Sequence, residues 1–208
     1  MTEPSGMTIE STEPYPWPWD QDFRPARLCL LITGTQRVHA EASSGTRAVA
    51  DLIVALAAAV RRVGGTVCHV RHTAPDTRHR PLLPQLGEAG WAPTLRPEPT
   101  DLLVEARGHD GFCGSGLDLE LRGRGLDLIV AVGMAAEVTV SSTVRSANYR
   151  GYECLTLTDA GARLDDFTGD RNLHSVTMSG GIFGVIGESR PLLDLLSGYA
   201  SADLIPAT

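Results

Sequence analysis

Residues 126–149 read LDLIVAVGMAAEVTVSSTVRSANY. The first eight are an apolar run of strand length, and the run breaks at Gly133. Beyond it, Val140, Val144 and Ala147 recur at helical spacing, which predicts a helix from Val138 to about Tyr149. A buried strand that turns directly into a helix is half of a strand–helix–strand unit. Outward from this stretch the same alternation repeats. Upstream lie a strand at 28–33 (LCLLIT), an alanine-rich helix at 46–65 that stops at a glycine pair, and a strand at 66–71 (TVCHVR). A polar loop runs to about Pro99, followed by a strand at 101–106 (DLLVEA) and a helix at 115–125. Downstream come a strand at 153–160 (ECLTLTDA), a helix near 169–179, a strand at 182–187 and a terminal helix. Parallel strands need such crossovers. The expected fold is therefore a three-layer α/β/α sandwich around a doubly wound, mostly parallel sheet of about six strands. Residues 1–27 carry Pro14, Pro16, Pro18 and Pro25 and read as an extended N-terminal arm before a single domain, 28–208.

Composition removes several function classes. The net charge is −7 with no basic run, which argues against nucleic acid as a partner. No apolar stretch reaches membrane-spanning length. The acidic, proline-rich start lacks the charged-then-apolar pattern of a signal peptide, so a cytoplasmic location is expected. All 18 basic residues are arginine. Without a lysine the chain has no lysine acid, Schiff base or P-loop cation. The four cysteines, Cys29, Cys68, Cys113 and Cys154, form no CxxC pair and are expected as buried free thiols.

In a doubly wound sheet, ligands bind beyond the carboxyl ends of the strands. That selects the loops Gly34–His39, Ala106–Phe112 and Gly133–Thr139. Their residues, together with PYPWPWDQDFRPARLCLLITGTQR at 14–37, GFCGSGLDLELRGRGLDLIVAVGMAAEVTVSSTVRSANYRGYECLTLTDAG at 111–161 and MSGGIFGVIGESRPLL at 178–193, resemble the isochorismatase-like cysteine hydrolases, most closely the biuret hydrolase branch. The resemblance implies the isochorismatase-like hydrolase fold and an Asp–Lys–Cys triad that cleaves amides. Carried over residue by residue, the Asp position falls on Gly34, two before Gln36; the Lys position falls on Ala106, six before Phe112; the Cys position falls on Thr139, six after Gly133. All three are replaced.

What remains sets the expectations for the site. The backbone N–H groups of Ala135 to Thr139, at a strand-to-helix turn, are expected to persist as an anion cradle. His39 and Thr139 are the candidate catalytic residues, although a threonine nucleophile needs a positioned base. Gly34, Gln36, Trp91, Ala106, His109, Phe112, Met134, Ala135, Ala136 and Glu137 are the candidate substrate-binding residues. Losing Asp, Lys and Cys together should widen the pocket and make it more apolar, with Trp91, Phe112 and Met134 on its walls. His69, His72, Asp76 and His79 do not reproduce a metal-binding spacing, and no metal or cofactor is expected. Two functions follow, the first favoured because a titratable histidine is expected beside the anion cradle. One is a repurposed enzyme that uses the cradle for a non-covalent step (cyclisation, isomerisation, elimination or addition) on a small specialised metabolite. The other is a pseudoenzyme that binds a small ligand or an active partner subunit. A homo-oligomer, dimer or tetramer, is implied by the resemblance, with the arm long enough to lie across a neighbour.

Overall fold

The computed structural model describes residues 7–37, 40, 45–73, 90–164 and 166–202. Six strands form one parallel sheet: β1 (Leu28–Thr33), β2 (Thr66–Thr73), β3 (Leu102–Arg107), β4 (Leu128–Met134), β5 (Glu153–Ala162) and β6 (Val185–Gly187). Their spatial order is β3-β2-β1-β4-β5-β6. The helices packed on it are α1 (Thr46–Arg62), α2 (Leu117–Gly123), α3 (Thr139–Tyr149), α4 (Asp166–Gly181) and α5 (Ser189–Ala202), the first four in crossovers and the last after β6. The expected three-layer α/β/α fold is thus the observed one.

Strand alternation divides the core in two. Leu30 and Ile32 of β1 join Val130, Val132 and Met134 of β4 beneath α1 and α5. Cys29 and Leu31 face the other way with Ile129, Ala131, Val104 and Ala106, beneath α2 and α3. Helix α1 buries Ala50, Ile53, Leu56, Ala57 and Val60, a stripe at helical spacing. Each fully buried aliphatic side chain of this kind contributes about 1.5–3 kcal/mol. β1 and β4 are the central pair, and the chain leaves them toward opposite faces. Their carboxyl ends therefore form the crevice in which such sheets bind ligands. The pair is unusually close at its end: Gly133 sits opposite Thr33, and a β-carbon on Gly133 would lie 1.8 Å from the Thr33 carbonyl oxygen.

The arm belongs to its own domain. Ile9 and Trp17 exchange backbone hydrogen bonds, and Glu13 exchanges a pair with Ile186 at 2.9 Å each, so the arm covers the free edge of β6. Trp17 is fully buried, Phe23 packs beside it, and the Tyr199 hydroxyl donates to the Phe23 carbonyl at 2.8 Å. The arm, read from the sequence as long enough to lie across a neighbour, packs on its own chain over these residues. The apolar side chains of an extended segment are spent on the nearest uncovered core, which here is the chain's own.

Candidate functional site

Gly34 follows β1 with a left-handed backbone, φ +68°. A β-carbon there would lie 2.3 Å from the Met134 carbonyl oxygen and 2.6 Å from Thr139 Oγ1. Those two atoms are themselves joined, because the Thr139 hydroxyl donates to the Met134 carbonyl at 2.7 Å. Thr139 opens α3 and is fully buried. Its hydroxyl is thus a local tie between β4 and α3, held at the spot a Gly34 side chain would occupy. Its proton has a partner already, and among the described residues no base is bonded to it.

The turn before α3 bears on a second expectation. Ala135 adopts a left-handed φ of +50°, a conformation that costs a non-glycine residue about 1–2 kcal/mol. The Ala135 carbonyl accepts from the Val138 and Thr139 N–H groups at 2.9 Å each. The Ala136 N–H donates to Ala162 on β5 at 3.0 Å. Three of the five amides expected to converge on an anion are therefore closed onto backbone carbonyls. A donor already bonded at normal length is not available to an oxyanion without breaking that bond. The Glu137 carboxylate accepts the Leu164 N–H through both oxygens at 3.0 Å, and its carbonyl accepts from Asn172. Glu137 ties the β5–α4 connection to the turn.

Gln36 is buried and clasps the backbone of His72: its Nε2 donates to the His72 carbonyl at 2.8 Å, and its Oε1 accepts the His72 N–H at 2.7 Å. His72 lies between Thr33 Oγ1, bonded to Nε2, and the Gly108 carbonyl, 2.9 Å from Nδ1. The four residues join the ends of β1 and β2 to the turn after β3. In that turn Asp110 accepts the Phe112 N–H and the Ser146 hydroxyl, and the Gly111 N–H donates to Thr143. Burial holds the His109 imidazole below its ordinary pKa, so the neutral form is favoured.

The expected walls do not share a pocket. Phe112 is buried in the α2–α3 core, beside Tyr152 and beneath the Arg150 guanidinium. Ala106 is buried in the same core. Met134 faces the opposite layer. Trp91 is bridged to Gln36 and meets the His69 ring edge-on at 5.7 Å, on the α1 side. Odd and even strand positions decide the face, so the sheet stands between Met134 and Phe112. Cys113, expected to be buried, is exposed in its turn; Cys29, Cys68 and Cys154 are buried. His39, Asp76 and His79 lie outside the described residues. His69 and His72, three apart on one strand, point to opposite faces and cannot share a metal.

One polar cluster was not anticipated. Asp101, just before β3, receives a two-pronged bond from Arg61 at 2.9 and 2.7 Å and lies 3.2 Å from His69 Nε2. Burial pushes the Asp101 carboxyl up, but the Arg61 bonds, the Glu98 N–H and the Arg61 charge outweigh it and hold the group below its usual range. Burial holds His69 below its ordinary value, although Asp101 pulls the other way. A lone histidine within the apolar run TVCHVR was the only sequence signal.

An isochorismatase domain model matches residues 28–184. The chain belongs to the isochorismatase family. An uncharacterized isochorismatase family protein of Bacillus subtilis is 37% identical over 52% of this chain and 56% of its own length. A ureidoacrylate amidohydrolase of Methylorubrum extorquens is 34% identical over 44% of this chain and 40% of its own. The family member described here thus spans about half the length of these curated relatives. A cysteine hydrolase from Pseudomonas syringae pv. phaseolicola has the same fold, with a TM-score of 0.76 and 20% identity over 96% of this chain and all of that one. Among the described residues no helix of this family member is long and apolar enough to cross a membrane.

Proposed function

We propose that this isochorismatase family member does not hydrolyse amides and acts as a binding protein, the second of the two functions read from the sequence. The observation that carries this reading is the Thr139 hydroxyl, bonded to the Met134 carbonyl where a Gly34 side chain would otherwise stand. The family positions hold Gly34, Ala106 and Thr139, so attack, proton transfer and lysine assistance each lack a group. The repurposed-enzyme reading leaned on an open anion cradle, and the three bonded amides of the Ala135–Thr139 turn weaken that support. The ligand is a small organic molecule, the location is cytoplasmic, and the working form is a homo-oligomer, dimer or tetramer. Exposed Tyr149, which meets the Phe183 ring edge-on, and exposed Met178 and Ile182 suit such an interface.

The test is turnover by the purified full chain. Ureidoacrylate and biuret should remain intact, and the triple variant Gly34→Asp, Ala106→Lys, Thr139→Cys should gain no activity, because the first substitution has no room. Turnover of either amide that Thr139→Ala abolishes would overturn the reading. Light scattering should give a multiple of 22.2 kDa; a monomer at micromolar concentration would remove the assembly from it.

A further inference from the structure

The sheet has an edge on each side, and the arm closes the β6 edge through Glu13 and Ile186. At the opposite edge stands β3, whose strand neighbour is β2. In a parallel pair, alternate residues turn their backbone groups toward the neighbour and away from it. Gly108, just past β3, donates its N–H to the Thr73 carbonyl of β2 at 2.9 Å, so the even-numbered positions face β2. Arg107 faces away, and its N–H donates to the Cys113 carbonyl at 2.8 Å in the following turn. Asp101 faces away at the other end, and its N–H donates to the Glu98 carbonyl at 3.0 Å. Between these stopped ends lie Leu103 and Glu105. Among the described residues, nothing meets the outward N–H or carbonyl of either.

The side chains on this edge leave it open to approach. Leu103 is 62% exposed, on the sheet face opposite Val104 and Ala106. Glu105 lies 3.2 Å from Arg71 of β2, which offsets its charge. An unpaired edge is a template for another strand. A second copy of β3, related by a two-fold axis, runs antiparallel and offers the same donors and acceptors in reverse. One register uses every free group: Leu103 opposite the partner's Glu105, and Glu105 opposite the partner's Leu103. Each of these pairs exchanges both backbone bonds, and Val104 faces the partner's Val104 on the axis. The same register sets Arg107 across from the partner's Asp101, opposite charges at both ends, and brings the two Leu103 side chains together on a diagonal. Centring the axis on Leu103 or on Glu105 instead would set carboxylates opposite one another, Asp101 against Glu105 or Glu105 against itself, which is destabilising.

We infer that β3 pairs with β3 of a second copy across a two-fold axis, in the register Leu103 to Glu105, and joins the two sheets into one. The inference names a surface for the homo-oligomer proposed above and rests on that assembly. It does not depend on whether the Gly34–Thr139 region is catalytically silent.

The experiment is residue-resolved amide hydrogen exchange on the full chain, with light scattering. In the wild-type assembly the Leu103 and Glu105 amides should be protected. Leu103→Pro removes an N–H that has no partner within the described residues, at an edge position where proline is tolerated. It should halve the scattering mass, leave the circular dichroism unchanged and speed exchange at Glu105 by at least about tenfold. If Leu103→Pro does not fold, exchange at both amides in wild-type protein, before and after dilution to the monomer, decides. Protection that persists in the monomer would overturn the inference, because the chain itself would then cover the edge. An oligomer in which both amides exchange freely, or which folded Leu103→Pro leaves whole, would overturn it too, with the assembly left standing on another surface. A wild-type monomer at micromolar concentration would overturn both.

Discussion

Thr139 Oγ1 lies 2.6 Å from the point where a β-carbon on Gly34 would sit, and the Met134 carbonyl oxygen is nearer still at 2.3 Å. The two positions are therefore coupled: with the hydroxyl in place and the backbone at φ +68°, position 34 admits only glycine.

Gly34→Ala should destabilise the protein. Over-packing costs about 1–3 kcal/mol, and the left-handed backbone adds about 1–2 kcal/mol for a residue with a β-carbon. Urea unfolding should show a lower midpoint with an unchanged slope. Adding Thr139→Ala should not restore it, because the closer obstacle is a main-chain carbonyl. Full recovery in the double variant would mean that the hydroxyl alone closes the site.

Trp17 ties the arm to the core. Trp17→Ala should cost about 3–5 kcal/mol, the range for a buried large aromatic. Deleting the residues before Asp22 should do at least as much and should bare the β6 edge. The check is the urea midpoint, with light scattering for aggregation. An arm that could be removed without loss of stability would contradict its burial.

Acid should weaken the fold in two stages. His69 and His109 have pKa values below the ordinary 6.5, so under that pH the unfolded chain binds more protons than the folded one. Their contribution is complete above 6.5 and is lost as pH falls through the folded values. Asp101, held below 3.8, adds a second loss at lower pH. Urea midpoints taken from about pH 7.5 down to about pH 5 should fall. His69→Gln and His109→Gln should each flatten that slope, and a midpoint that rises on acidification would contradict both assignments.

Cysteine reactivity should single out one thiol. Cys113 is exposed, whereas Cys29, Cys68 and Cys154 are buried. The Cys68 contact and burial raise Cys29, and burial raises Cys154, which suppresses their thiolates. A thiol reagent at neutral pH should label one equivalent quickly in the native protein and four after denaturation. Cys113→Ser should remove the fast phase.

The order of strands and helices was legible in the sequence because hydropathy period is a local property. LCLLI at 28–32 and LIVAV at 128–132 are apolar along their whole length, as strands covered on both faces must be. The absence of lysine was equally legible, since it depends only on which side chains exist, and no register can place one at Ala106. Whether an amide at the start of α3 is free was not legible. That depends on Ala162, delivered by the next strand, and on the left-handed turn at Ala135. Phe112 and Met134 were read as facing one pocket because their loops end at the same edge of the sheet. The side of the sheet is set by strand parity and by how each loop folds back, and it put them in opposite layers. The His69–Asp101 pair joins residues 32 apart, and Arg61 completes it from another helix. Its chemistry exists only once β2, β3 and α1 are packed, because burial and proximity, which shift a pKa, belong to the tertiary structure and not to any segment of the chain.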